Sequence, residues 1–158
     1  MATRAGSVDP GLLLHLLASG ITPDELGDAL NHRSGLLGMT GLAGLREVEQ
    51  AAGDGDEPAR LAFDVVVRGV GAAIAAMTTA LGGLDALVFS GGAGERSSRL
   101  RSAACARVAH LGVELDLAAN AHDAERIGAP GRAVAVLVVR AGEEIVIARQ
   151  TAALLQGT

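Results

Sequence analysis

The sequence has no tryptophan, no tyrosine and only two phenylalanines. Stacking on bases needs aromatic platforms, so this absence argues against a nucleic-acid partner, and the net charge of −5 argues the same way. Lysine is also missing. All 13 basic residues are arginine, which reads as the codon bias of a GC-rich genome rather than as chemistry. A single cysteine, Cys105, excludes an internal disulfide. It sits on a helical pattern within Ser102-Ala103-Ala104-Cys105-Ala106 and reads as a small buried apolar residue, not a reactive thiol. The longest apolar stretch, Val70 to Leu81, is interrupted by Gly71, Thr78 and Thr79, and is too short and mixed to span a bilayer. Met1-Ala2-Thr3-Arg4-Ala5-Gly6 has no apolar core of a signal peptide. The expectation is a cytoplasmic protein without membrane or nucleic acid as partner.

What is present is a core-forming chain. At 158 residues, 49% hydrophobic and 20% charged, it is globular and the size of one domain. Its organising stretch is Leu84-Asp85-Ala86-Leu87-Val88-Phe89-Ser90-Gly91-Gly92-Ala93-Gly94-Glu95-Arg96-Ser97. The apolar run predicts a strand buried on both faces, as in a parallel sheet. It ends in a glycine loop, and a helix follows from Ser97 to about His110. Glycines let a ligand approach the backbone closely, and a helix start behind the loop suits an anion. The stretch is either a phosphate or nucleotide site or a tight turn with no ligand.

Around it, Asp9-Pro10 opens a helix over Gly11 to Ser19 that is apolar nearly all round and calls for cover on every side. Thr22-Pro23-Asp24-Glu25 is a capping box opening a helix that ends near Asn31. Ser34 to Gly44 reads as a glycine-rich loop, Leu45 to Ala52 as one or two helical turns, and Gly53 to Asp56 as a polar turn. Glu57-Pro58 opens the longest helix, to about Leu81, with Phe63, Val67, Val70, Ile74, Met77 and Leu81 as one stripe. Gly69 and Gly71 inside it predict close helix packing. Gly112 to Asp116 is a short edge strand, followed by a polar loop to Pro130. Val134 to Val139 is a second buried strand, and Glu143 to Gln156 the closing helix. Strands alternating with helices make this α/β, with few strands for a sheet covered on both faces. His15, His32, His110 and His122 have no metal-site spacing and read as structural or surface residues. Asp64 and Asp85 read as helix-surface and strand-edge residues.

Several motifs in order resemble the C-terminal portion of acetate kinase, the short-chain carboxylate kinase family. Met1-Ala2-Thr3-Arg4-Ala5-Gly6-Ser7-Val8-Asp9-Pro10 is similar to its Met-Gly-Thr-Arg-Ser-Gly-Asp-x-Asp-Pro motif. Ser34-Gly35-Leu36-Leu37-Gly38 is similar to its Ser-Gly-Leu-Leu-Gly loop. Phe89-Ser90-Gly91-Gly92-Ala93-Gly94-Glu95 resembles Phe-Thr-Gly-Gly-Ile-Gly-Glu. Glu143-Glu144 with Ile147-Ala148-Arg149 resembles its Glu-Glu-x-x-Ile-Ala-Arg ending. The similarity runs from Met1 to about Leu155.

The resemblance implies an incomplete ribonuclease-H-like domain of the sugar kinase, heat-shock ATPase and actin superfamily, its sheet lacking the first strands. It implies reversible transfer of phosphate from ATP to acetate or another short-chain carboxylate, with ATP or ADP and magnesium bound. Arg4 then stabilises charge on the transferring phosphoryl group, a task suited to a guanidinium. Leu45, Arg46, Gly92, Ala93, Gly94, Glu95 and Arg96 hold adenosine, and Glu143 serves magnesium; without the family, Glu143-Glu144 reads as acids favoured at a helix start. The sequence departs from the family at ligand-facing positions: no Asp precedes Leu45-Arg46, Arg96 replaces Asn, and Arg140-Ala141-Gly142 replaces Pro-Thr-Asn. Family members are more than twice as long. The segment with the acetate-site Arg and the catalytic Asp and His has no counterpart here, so the chain is expected to be inactive alone. A homodimer or a missing N-terminal half are the partners implied. The alternative is a non-catalytic nucleotide-binding or interaction module, or a gene remnant.

Overall fold

The structure is a computed structural model, and it describes residues 2–156, the side chains of Glu143 and Gln156 excepted. The chain divides into two compact units, Met1–Gly69 and Val70–Thr158.

The first unit is helical. Asp9 caps α1 (Pro10–Ala18), its carboxylate accepting from the Gly11 and Leu12 amides. The capping box predicted at Thr22 opens α2 (Pro23–His32): Glu25 N–H donates to Thr22 Oγ1, and the Thr22 amide donates to Glu25 Oε2 at 2.9 Å. The Thr22 amide, together with the Thr22 hydroxyl that also donates to Oε2, favours the ionised carboxylate and holds Glu25 below its usual pKa. The predicted loop at Ser34 to Gly44 is instead a short helix, α3 (Gly35–Thr40). Sequence propensity penalises its glycines, but a Cβ at Gly38 would stand 2.7 Å from the Arg33 carbonyl oxygen. Glycine is there because two stretches of backbone touch. Next come α4 (Leu45–Gly53) and α5 (Glu57–Leu81), the latter with the predicted bounds. Val48, Ala52, Ala59, Ala62, Phe63 and Val67 are buried.

Two expectations fail here for one reason. Among the described residues α1 has no buried side chain, and Leu14 is 68% exposed, so its apolar surface is not covered. The stripe of α5 is buried at Phe63 and Val67 but runs out of cover at Met77 and Leu81, which is 77% exposed. Periodicity places apolar residues on a face; it does not supply what packs on that face. By length and composition α5 could cross a membrane, yet its buried residues from Ala59 to Val67 are those of a core helix.

The second unit is built on β1 (Ala86–Phe89) and β2 (Ala135–Val138), paired in parallel with Leu87 opposite Val136 and Phe89 opposite Val138. A parallel pair needs a crossover. The crossover contains α6 (Gly91–Arg96), α7 (Ser98–Arg107), a 3-10 turn over Ala109–Leu111, and α8 (Leu117–Ala121). The core joins Phe89, Val136 and Val138 to Ala104, Val108 and Ile127, with Val70 and Ile74 of α5 packed against it. Alternation puts Leu87, Phe89, Val136 and Val138 on that face. The opposite face carries Ala86 and Val88, both exposed, so β1 is not buried on both sides as predicted. The α5–α7 approach is close at Gly71, where a Cβ would lie 3.0 Å from Arg107 Cβ; Gly69 has open space and no such role. The predicted edge strand at Gly112 to Asp116 reduces to one antiparallel bridge, Leu115 to Gly128. The closing helix α9 (Glu143–Gln156) has its predicted bounds.

Candidate functional site

Ligands of open α/β sheets bind beyond the carboxyl ends of the strands, and a cleft of about 990 Å³ lies there in the second unit. Its walls are the turn after β1 and the connection from β2 to α9, with Gly92, Glu95, Arg96, Asp123, Arg140 and Glu144 among the lining residues. That volume suits a ligand of nucleotide size.

The predicted glycine loop is itself a helical turn. Ser90 is extended, Gly91 takes φ +72°, and α6 runs directly through Gly92, Ala93, Gly94 and Glu95. Side chains rarely adopt that φ, so glycine at 91 is what allows the strand to turn at once into a helix. The predicted helix from Ser97 is a second one, its Leu100 amide donating to the Ser97 hydroxyl at 2.9 Å. Glu95 does not offer its carboxylate freely. Oε1 accepts from the Gly91 amide at 2.8 Å and from the Ala141 amide at 2.9 Å. One oxygen thereby ties the glycine turn to the opposite wall. Gly92, by contrast, borders the cleft with no heavy atom within 4 Å of where a Cβ would be.

Behind the turn lies a residue that the sequence reading missed. Arg101 on α7 is fully buried. Its Nη1 donates to the carbonyls of Gly94 (2.9 Å) and Glu95 (3.0 Å). Its Nε donates to Asn120 Oδ1 at 2.7 Å and its Nη2 to the Asn120 carbonyl at 2.9 Å. Nη2 also pairs with the Asp123 carboxylate. Asn120, buried on α8, donates in turn to the Ser98 carbonyl and the Ser102 hydroxyl. No buried polar side chain among the described residues lacks a partner, which is what makes a buried guanidinium tolerable. A single arginine among several, with partners 6 to 22 positions away, leaves no pattern in the sequence.

Of the other predicted site residues, Arg96 is exposed on the cleft, with Ala93 exposed and Gly94 half-buried on the same turn. Arg4, Leu45 and Arg46 belong to the first unit. Arg4 is exposed on a strip of chain pinned by its backbone: the Ala5 amide donates to the Leu30 carbonyl at 2.7 Å, and the Ser34 amide to the Thr3 carbonyl at 2.8 Å. Arg46 is exposed in the first turn of α4 beside half-buried Leu45. Glu143 opens α9, and its side chain lies outside the described residues. No cluster of three or more His, Cys, Asp or Glu that could hold a metal occurs among the described residues. Cys105 is buried as expected, and burial pushes its thiol up to about 11, against the opposing charge of Arg101. The cleft therefore offers two guanidinium groups, Arg96 and Arg140, beside the carboxylates of Glu95, Asp123, Glu125 and Glu144, an open glycine and a fixed backbone.

Comparison with known proteins agrees in sequence and in fold. The model of the acetokinase family matches residues 1–149. An acetate kinase of Leifsonia xyli subsp. xyli is 47% identical over 154 residues, covering 95% of this chain and 39% of that protein. A propionate kinase of Escherichia fergusonii is 42% identical, over 94% of this chain and 37% of its own length. The crystal structure of Porphyromonas gingivalis acetate kinase superposes with a TM-score of 0.86 at 36% identity, covering 98% of this chain and 40% of that one. Entamoeba histolytica acetate kinase gives 0.88 at 30% identity, with 96% and 41% covered. The chain spans about two fifths of the length of the relatives it matches.

Proposed function

The chain belongs to the acetokinase family, and from that premise we propose that it is the C-terminal, nucleotide-holding portion of a cytoplasmic short-chain carboxylate kinase. The observation that carries the reading is the cleft at the carboxyl ends of β1 and β2, bordered by Gly92, whose Cβ position is open. In this reading the α6 turn lies against adenosine. The guanidinium groups of Arg96 and Arg140 attract the polyphosphate, and Arg4 neutralises charge that develops on the transferred phosphoryl group. A nucleotide supplies that phosphoryl group. The residues of this chain only place it and screen its charge.

Magnesium commonly binds through one or two carboxylates and the phosphates themselves; in this reading Glu143 would serve it, and its side chain lies outside the described residues. Turnover to an acyl phosphate requires groups from the remaining three fifths of the family's length, carried on the same polypeptide or a separate one. Without those groups the 158 residues bind nucleotide without turnover, because transfer needs the acceptor and the phosphates positioned together. Titration of ADP into the purified chain tests this: micromolar binding without acetyl phosphate production is the expected result. Absence of binding sinks the nucleotide reading, and acetyl phosphate production abolished by Arg4→Ala sinks the claim that the chain alone is inactive.

A further inference from the structure

We propose that Arg101 is a positioning residue of the cleft, with two tasks: it fixes the α6 turn from behind, and it cancels the charge of Asp123 so that an anionic ligand is accepted. The inference rests on the nucleotide reading above. Arg101 lies inside the protein, fully buried, and does not line the cleft. Two of its five hydrogen bonds go to the carbonyls of Gly94 and Glu95, the last turn of α6. The donors form a rigid planar fork that a lysine cannot copy. The turn is thereby held at both ends, by Arg101 at its carbonyls and by the Glu95 carboxylate at the Gly91 and Ala141 amides.

The second task follows from Asp123. It lines the cleft, its side chain is 54% exposed, and its φ of +50° is one that few residues other than glycine adopt. Asp tolerates that conformation better than most. The ion pair with Arg101 turns its carboxylate inward. Without the guanidinium, an unpaired anion would face whatever phosphate occupies the cleft, alongside Glu125 and Glu144. Removing Arg101 leaves Asp123, half-exposed on the cleft wall, with no cation from α7 beside it.

Calorimetric titration of ADP and of adenosine into the full chain separates the two tasks from a general structural role. Arg101→Gln should weaken ADP at least about tenfold, and more than it weakens adenosine. Adding Asp123→Asn should restore part of the ADP affinity and leave adenosine unchanged. Equal losses for both ligands with no recovery on Asp123→Asn overturn the charge-cancelling task, as does ADP binding to Arg101→Gln at wild-type strength. Arg101→Lys, which keeps the charge and loses the fork, covers the case in which Arg101→Gln does not fold. In Arg101→Lys, amide hydrogen exchange across residues 91–96 should speed up while residues 135–138 keep their protection; unchanged exchange at 91–96 overturns the positioning task. If the wild-type chain binds neither ligand, the nucleotide reading and the charge-cancelling task resting on it fall, and hydrogen exchange decides the positioning role by itself.

Discussion

Gly92→Val should weaken nucleotide binding at least about tenfold without harming the fold. Gly92 lies inside α6 with no positive φ, so valine meets no backbone strain. A Cβ built there finds no heavy atom within 4 Å. On helix propensity the change is slightly favourable, because Gly is about 1 kcal/mol and Val roughly half that less favourable than Ala. The isopropyl group occupies open space at the border of the cleft. A ligand resting on the glycine must move away or lose its contacts. Affinity for ADP should fall at least tenfold, equivalent to about 1.4 kcal/mol, while the urea midpoint stays within error of wild type. Gly128→Ala is the converse control. Its Cβ would lie 2.9 Å from the Val136 backbone nitrogen, and overpacking of that kind costs about 1–3 kcal/mol, so this variant should lose stability. Calorimetric titration with a parallel urea melt reads both. A folded Gly92→Val chain that binds ADP as tightly as wild type would refute the placement of ligand against the α6 turn.

Three further outcomes follow. Cys105 is the only side chain with an ordinary pKa in its range, because the chain has no lysine or tyrosine. Its thiol is raised from 9.0 to about 11 in the fold, so above pH 9 the unfolded chain gives up its proton first and stability falls as pH rises through about 11. Urea midpoints at about pH 8 and about pH 10.5 should show the decline, and a flat profile that Cys105→Ala leaves unaltered would contradict it. Glu25 has the opposite sign. Its lowered pKa means that the stability it contributes is present above the ordinary carboxylate value and is lost as pH falls through the folded one; Thr22→Ala should reduce that acid-side dependence, checked by thermal melts across the acid range. The exposed apolar face at Val88 and the outer edge of β1 should cause self-association at high concentration. Light scattering should show less of it for Val88→Lys, and a sharp monomeric wild-type peak would count against the reasoning.

Where sequence and structure agree, the signal is local. Asp9 and Thr22 cap the next turn through side chains that reach only three residues. The bounds of α5 and α9 follow from Glu-Pro, Gly-Gly and Gly-Glu-Glu punctuation. Where they differ, the deciding partner is remote. Residues 35–40 are helical against their propensity, and the remote N-terminal strip braces their start: the Ser34 and Leu37 amides donate to the Thr3 and Ala2 carbonyls. The predicted polar loop holds α8, capped by Asp116 and tied through Asn120 to α7. Glu95, expected from the resemblance in the adenosine loop, has in addition a bracing task that the sequence did not show, between Gly91 and Ala141, 46 positions away.

The amino-acid sequence by itself determined the α/β class, the two strand segments and the glycine turn between strand and helix. Each of these is written in periodicity, in capping side chains or in the backbone freedom of glycine, and none needs a distant residue. Only the tertiary structure decided that the turn is held from behind by Arg101, that Asp123 faces the cleft already neutralised, and that one face of the sheet stands open. A buried guanidinium is stable only when its donors are satisfied together. Its acceptors here come from residues 94, 95, 120 and 123, which meet only in the folded chain.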